Sequence, residues 1–95
     1  NPIHADPDSA RSAGFRQPIL HGLCTFGMAG VAIDRAIARP AGRRITTIES
    51  RFSGIVYPGE RLEFDLWVDA GRIAFRARTP DRSATVLDYG LAEFG

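Results

Sequence analysis

Gly22-Leu23-Cys24-Thr25-Phe26-Gly27-Met28-Ala29-Gly30-Val31-Ala32-Ile33 is apolar or small nearly all round, with Thr25 its one clearly polar member. Leu23, Phe26, Gly30, Ile33 and Ile37 recur at spacings of three and four, which is one face of a helix. A helix without a polar side is buried on most sides. The sequence therefore predicts that Leu23 to Ile33 are enclosed by other elements, with Cys24 a buried structural cysteine. Gly27 and Gly30 each carry a helix-propensity cost of about 1 kcal/mol, and the expected compensation is close approach of another backbone. Asp34, Arg35 and Arg39 mark the return to water, and Pro40 with Gly42 stops the helix.

Downstream the period changes. Ile45 to Val56 is rich in β-branched residues, and Tyr57-Pro58-Gly59-Glu60 is a turn. Arg61 to Asp69 alternates strictly, with Leu62, Phe64, Leu66 and Val68 on one face and Glu63, Asp65, Trp67 and Asp69 on the other. Arg72 to Thr79 alternates again, with Ile73, Phe75 and Ala77 inward. A hairpin turning at Ala70-Gly71 sets Asp69, Asp65 and Glu63 against Arg72, Arg76 and Arg78. It also sets Val68 against Ile73 and Leu66 against Phe75. Each such pair contributes roughly 0.2–1 kcal/mol, and a slip of one residue would lose both patterns. Thr79-Pro80-Asp81-Arg82 turns the chain into a last strand, Ala84 to Phe94, with a bulge expected at Gly90. Upstream, Asn1 to Pro18 is turn-rich and holds at most a short helix over Asp8 to Ala13, capped by Asp8 or Ser9. The order predicts an α+β domain: an antiparallel meander of at least four strands wrapped around one long helix.

Composition narrows the function classes. The 95 residues are 44% hydrophobic and 24% charged, with a net charge of +1. That charge gives no field for nucleic acid or an anionic membrane. All 12 basic residues are arginines. The single cysteine has no internal disulfide partner, which fits a reducing, cytoplasmic setting. No apolar run approaches the roughly 20 residues that span a bilayer. No metal-ligand cluster, phosphate loop or Ser-His-Asp arrangement is present.

Three blocks carry a resemblance. Asn1-Pro2-Ile3-His4 resembles the hydratase motif of MaoC-like proteins and (R)-specific enoyl-CoA hydratases, which reads Asp, any residue, Asn, Pro, aliphatic, His. Pro18-Ile19-Leu20-His21-Gly22-Leu23-Cys24-Thr25-Phe26-Gly27 is similar to that family's entry into its central helix. Arg51-Phe52, followed by Val56-Tyr57-Pro58-Gly59-Glu60, is similar to its strand-and-turn signature. The resemblance implies a hot-dog fold over nearly the whole chain, a single domain of residues 1–95. The family's Asp falls two positions before Asn1, with a first strand before it. The 95 residues alone are therefore expected to be N-terminally incomplete, and inactive until that upstream segment is restored.

The implied reaction is reversible hydration of a trans-2-enoyl-CoA to an (R)-3-hydroxyacyl-CoA. Water must reach C3 and a proton C2, and an imidazole suits both tasks because it changes protonation near neutral pH. By the resemblance His4 is that group, working with the family's Asp. The Asn1 amide would help position substrate or water, although Asn-Pro by itself is a common turn dipeptide. Pro2, Ile3 and Phe52 match substrate-contacting positions, while Phe52 alone would also suit sheet core. Gly22 opens the long helix, where N–H groups lack partners and the dipole end is positive. The matching family glycine is an oxyanion hole, worth about 2.7–4 kcal/mol per donor in favourable cases. His21 is expected only to satisfy backbone groups at the helix start. Arg72, Arg76 and Arg78 are accounted for as cross-strand partners, whereas Arg43, Arg44 and Arg51 are left over as candidates for CoA phosphates. The acyl-CoA is substrate, and no metal or redox cofactor is implied. Hot-dog domains pair, so a second such domain is expected, as a homodimer or in the same polypeptide. Two other readings stay open: a non-catalytic, acyl-CoA-binding or structural half of a double hot-dog protein, and a hot-dog thioesterase.

Overall fold

The computed structural model describes residues 1–36 and 44–95. They form a one-turn 3-10 helix (Pro2–His4), a short helix α1 (Pro7–Ser12), a long helix α2 (Gly22–Ala36) and four strands. The strands are β1 (Ile45–Phe52), β2 (Glu63–Asp69), β3 (Arg72–Thr79) and β4 (Ala84–Phe94). They make one antiparallel sheet in the order β1-β4-β3-β2. The meander is thus β2-β3-β4. β1 pairs with β4 instead of with β2, because alternation fixes the faces of a strand and not its neighbours. α1 is capped by Asp6, whose carboxylate accepts from Asp8 N–H, two residues before the Asp8 cap the sequence suggested.

The β2–β3 hairpin has the register its charges predict. Asp69 faces Arg72, Asp65 faces Arg76 and Glu63 faces Arg78, while Val68 faces Ile73 and Leu66 faces Phe75. Arg78 reaches Glu63 at 2.8 Å and Asp65 at 3.0 Å, and Arg76 reaches Asp65 at 3.2 Å. The hydrogen bonds from Arg78 and Arg76 hold the Asp65 carboxyl below the usual carboxylate range. Only the outermost pair departs from expectation: Arg72 lies 4.0 Å from Glu93, and Asp69 accepts from the Ala70 N–H.

The core lies between this sheet and α2. Ile73, Phe75 and Ala77 of β3 meet Val86, Leu87 and Ala92 of β4, with Ala29, Ile33 and Val56 packed onto them. The buried row of α2 is Thr25, Ala29 and Ile33; Ile33 is buried as predicted, but Leu23, Phe26 and Gly30 are not in the row. The sheet covers one side of the helix. On the other, Leu23 is 77% and Val31 50% exposed, and Cys24 is exposed, so it is not a buried structural cysteine. A helix that is apolar all round has no polar side to fix which residues face the sheet. Small Thr25 and Ala29 let the helix lie close. Gly27 and Gly30 are not close-approach positions, since a Cβ on either would meet nothing within 4 Å. Ile37, Arg39, Pro40 and Gly42, where the sequence places the helix's end, and Arg43, a candidate for CoA phosphates, lie outside the described residues.

The Tyr57-Pro58-Gly59-Glu60 turn is locked by its own acid. Glu60 accepts from Tyr57 N–H at 2.8 Å and from Arg82 at 2.6 Å, and Arg82 also donates to the Ile55 carbonyl at 2.7 Å. The Tyr57 ring sits under two guanidinium groups, Arg16 at 4.4 Å and Arg82 at 5.1 Å. The Arg82 hydrogen bond, ahead of the Tyr57 amide, holds the Glu60 carboxyl below its ordinary value. A depressed carboxyl contributes stability that is complete above the unfolded-state pKa and is lost as pH falls through the folded one. Unfolding midpoints should therefore drop as the pH is lowered past the unfolded-state glutamate value of about 4.3. Glu60→Gln should lose about 1.5–3 kcal/mol at neutral pH, as for a hydrogen bond to a charged group, and should flatten this acid limb. An unchanged limb in denaturation series of the variant would assign the acid sensitivity elsewhere.

Candidate active site

The first turn of the chain is built to hold His4. Asn1 caps it, its Oδ1 accepting from Ile3 N–H at 3.2 Å, and Pro2 supplies the fixed φ of a helix start. The segment before α2 then clasps it at two points. Ile19 N–H donates to the Ile3 carbonyl at 3.2 Å, and His4 Nδ1 lies 2.9 Å from the Ile19 carbonyl. A carbonyl only accepts, so Nδ1 carries the proton. In the neutral ring Nε2 is then left as a lone-pair acceptor. Leu20 N–H donates to the Val56 carbonyl at 2.8 Å, tying the same segment to the chain beyond β1.

This segment runs directly into α2. The His21 carbonyl accepts from Cys24 N–H at 3.0 Å and Thr25 N–H at 3.4 Å, and so starts the helix. The N–H groups of Gly22 and Leu23 stand at its positive end, where an α-helix supplies no partners of its own. A Cβ on Gly22 would lie 3.0 Å from the Phe52 ring, so glycine lets Phe52 close over the helix start. Phe52 is 56% exposed and meets Phe26 edge-on at 6.2 Å. It is thus a wall of a cleft and not sheet core.

His4, Gly22, Thr25 and Phe52 line one cleft of about 170 Å³, closed by Ile19, Leu20 and the 54–56 backbone turn with Val86. Three of the six residues singled out in the sequence, His4, Gly22 and Phe52, are therefore brought together. Asn1, Pro2 and Ile3 are not in its lining. They build the turn beneath His4. Sequence reasoning missed Thr25, buried in the cleft, although its being the lone polar residue of an apolar helix was a signal. It also missed the Ile19 carbonyl, which no side-chain pattern announces. His21 does more than start α2, because its ring stacks on His4 at 3.9 Å. The guanidinium of Arg51 lies over the Tyr89 ring at 5.5 Å, outside the cleft lining.

A hot-dog domain with a histidine and a helix start in one cleft is what the geometry defines. The family described as the MaoC like domain matches residues 1–88, and the chain belongs to that family. It is 41% identical over 87 residues to the peroxisomal enoyl-CoA hydratase 2 of Arabidopsis thaliana, an alignment covering 92% of this chain and 28% of that one. The crystal structure of a MaoC-like dehydratase from Phytophthora capsici superposes with a TM-score of 0.92 at 36% identity, over 100% of this chain and 32% of that one. An R-hydratase, PhaJ1, from Pseudomonas aeruginosa superposes with a TM-score of 0.78 at 27% identity, over 99% and 63%. The chain thus spans about a third of the length of the longer relatives.

Proposed function

We propose that the intact protein hydrates a trans-2-enoyl-CoA reversibly to an (R)-3-hydroxyacyl-CoA. The observation that carries this reading is the meeting of His4 and Gly22 in one cleft. His4 Nε2 takes a proton from water as the water oxygen bonds to C3. The electron pair of the C2=C3 bond shifts toward the thioester, whose oxygen becomes an enolate and accepts from Gly22 N–H at the start of α2. The proton then passes from His4 to C2, the thioester carbonyl re-forms and the imidazole is neutral again. Asn1 has its Oδ1 engaged with Ile3 N–H, which leaves its amide N–H groups to orient water or substrate. Phe52 is the proposed substrate contact within the cleft, and Pro2 and Ile3, which lie outside its lining, are proposed to meet the substrate where it extends past the cleft. The chemistry uses proton transfer and hydrogen bonding with no metal or redox cofactor, and coenzyme A enters as part of the substrate. The R configuration is proposed from the similarity to the Pseudomonas aeruginosa R-hydratase.

A second hot-dog domain, in a homodimer or in the same polypeptide, is the proposed partner. Among the described strands β1 and β2 are edges, and Trp67 and Val68 stand exposed on β2. Unpaired edges invite pairing. No described helix is long and apolar enough to cross a membrane, and the charge of +1 offers nothing to nucleic acid. The exposed thiol of Cys24 fits the reducing cytoplasm as the proposed location.

The test is to follow the loss of enoyl-thioester absorbance with the intact protein and crotonyl-CoA or longer enoyl-CoA, and to resolve the product on a chiral column. Turnover to the R product is expected. Release of free thiol without hydration would replace this reading by a thioesterase.

A further inference from the structure

The ring of His21 has no part in the reaction as proposed, yet it is the group laid against the face of His4. The centroids are 3.9 Å apart and the planes 27° from parallel. His4 stands on a single 3-10 turn near the surface, a weak platform by itself. Among the described residues its one in-plane restraint is the Nδ1 bond to the Ile19 carbonyl. With the ring tethered at Cβ, a single hydrogen bond at Nδ1 gives one restraint on two side-chain torsions, so coupled changes of χ1 and χ2 can still tilt the plane. A ring stacked on the face removes that freedom. Both restraints come from one short segment, since Ile19 and His21 are two residues apart. The backbone carbonyl of the same His21 accepts the first bonds of α2.

We infer that His21 is a positioning residue: its ring fixes the plane of the His4 imidazole while its backbone fixes the start of α2, so one residue sets the proton-transfer group and the Gly22 N–H in a common frame. The inference rests on the reading of His4 given above. The stack is what matters, not the protonation of His21, so any flat ring of similar size should serve.

In the intact protein, His21→Ala should lower kcat about tenfold with KM changed less than about twofold, the scale of a modest loss of alignment. His21→Phe should recover kcat to within about threefold of wild type. Full activity in His21→Ala would overturn the inference. An equal loss in His21→Phe would also overturn it, and would assign His21 a chemical role instead. Nitrogen NMR of histidine-labelled protein gives a readout independent of turnover. The wild-type His4 ring should report one Nδ1–H tautomer, His21→Phe should keep it, and His21→Ala should give an averaged mixture. Unchanged His4 signals in His21→Ala would overturn the inference. If the wild-type protein hydrates nothing, the proposed reaction fails, and the NMR comparison still decides whether His21 holds His4.

Discussion

His4→Ala in the intact protein is expected to lower kcat for enoyl-CoA hydration by about 10²–10⁴-fold, the usual worth of a positioned acid-base group. The ring is half-buried, and its Nδ1 is committed to the Ile19 carbonyl at 2.9 Å. Nε2 is therefore the nitrogen available to water. Alanine removes both the base and the bond that ties the first turn to the segment before α2. His4→Asn separates these effects, because an asparagine amide can still donate to Ile19 while offering no base. Both variants should lose turnover alike, and the Asn variant should unfold at the wild-type midpoint. Turnover near wild type in His4→Asn would show that His4 is only a strut, and a different proton-transfer group would have to be sought around the cleft.

How much of this was legible depended on how local the signal was. The β2–β3 register is set by facing side chains on two adjacent strands, and charge and hydrophobicity agreed on it residue by residue. The start of β4 at Ala84 also fell where turn chemistry put it. The phase of α2 was not legible. Leu23, Met28 and Val31 are as apolar as a core residue, and only the tertiary fit of Thr25 and Ala29 to the sheet selects the buried side. The position of β1 beside β4 is a topological fact that no periodicity carries. In the site, His4, Gly22 and Phe52 were reached through the resemblance to family motifs; composition and periodicity alone leave a loop histidine, a helix-start glycine and a phenylalanine that would suit sheet core. The parts that were missed, the Ile19 carbonyl and the His21 stack, depend on where the backbone folds back over the first turn.

Gly90→Ala is expected to destabilise the fold by about 3 kcal/mol, at the upper end of ordinary overpacking. Gly90 is buried in β4 opposite Phe75 of β3. Next to it β4 advances three positions, from Gly90 to Leu87, where β3 advances two, from Phe75 to Ala77, which is the predicted bulge. Within it Tyr89 has φ +51°. A Cβ on Gly90 would lie 2.6 Å from two ring carbons of Phe75 and 2.6 Å from the Phe75 carbonyl oxygen. Phe75 is 2% exposed, so its ring has no room to retreat, and its carbonyl belongs to the adjacent strand. Either the ladder opens or the core repacks. Gly27→Ala is the contrasting case. Its Cβ would meet nothing within 4 Å, and a helical alanine gains about 1 kcal/mol over glycine. Denaturant unfolding of the intact protein should thus move in opposite directions for two chemically identical substitutions. Adding Phe75→Leu to Gly90→Ala relieves the ring contact but not the carbonyl contact, so the double variant should be less destabilised than the two single losses added together. Strict additivity would mean that the ring and the new methyl do not compete for the same space, and the cost at Gly90 would then belong to the backbone of the bulge alone.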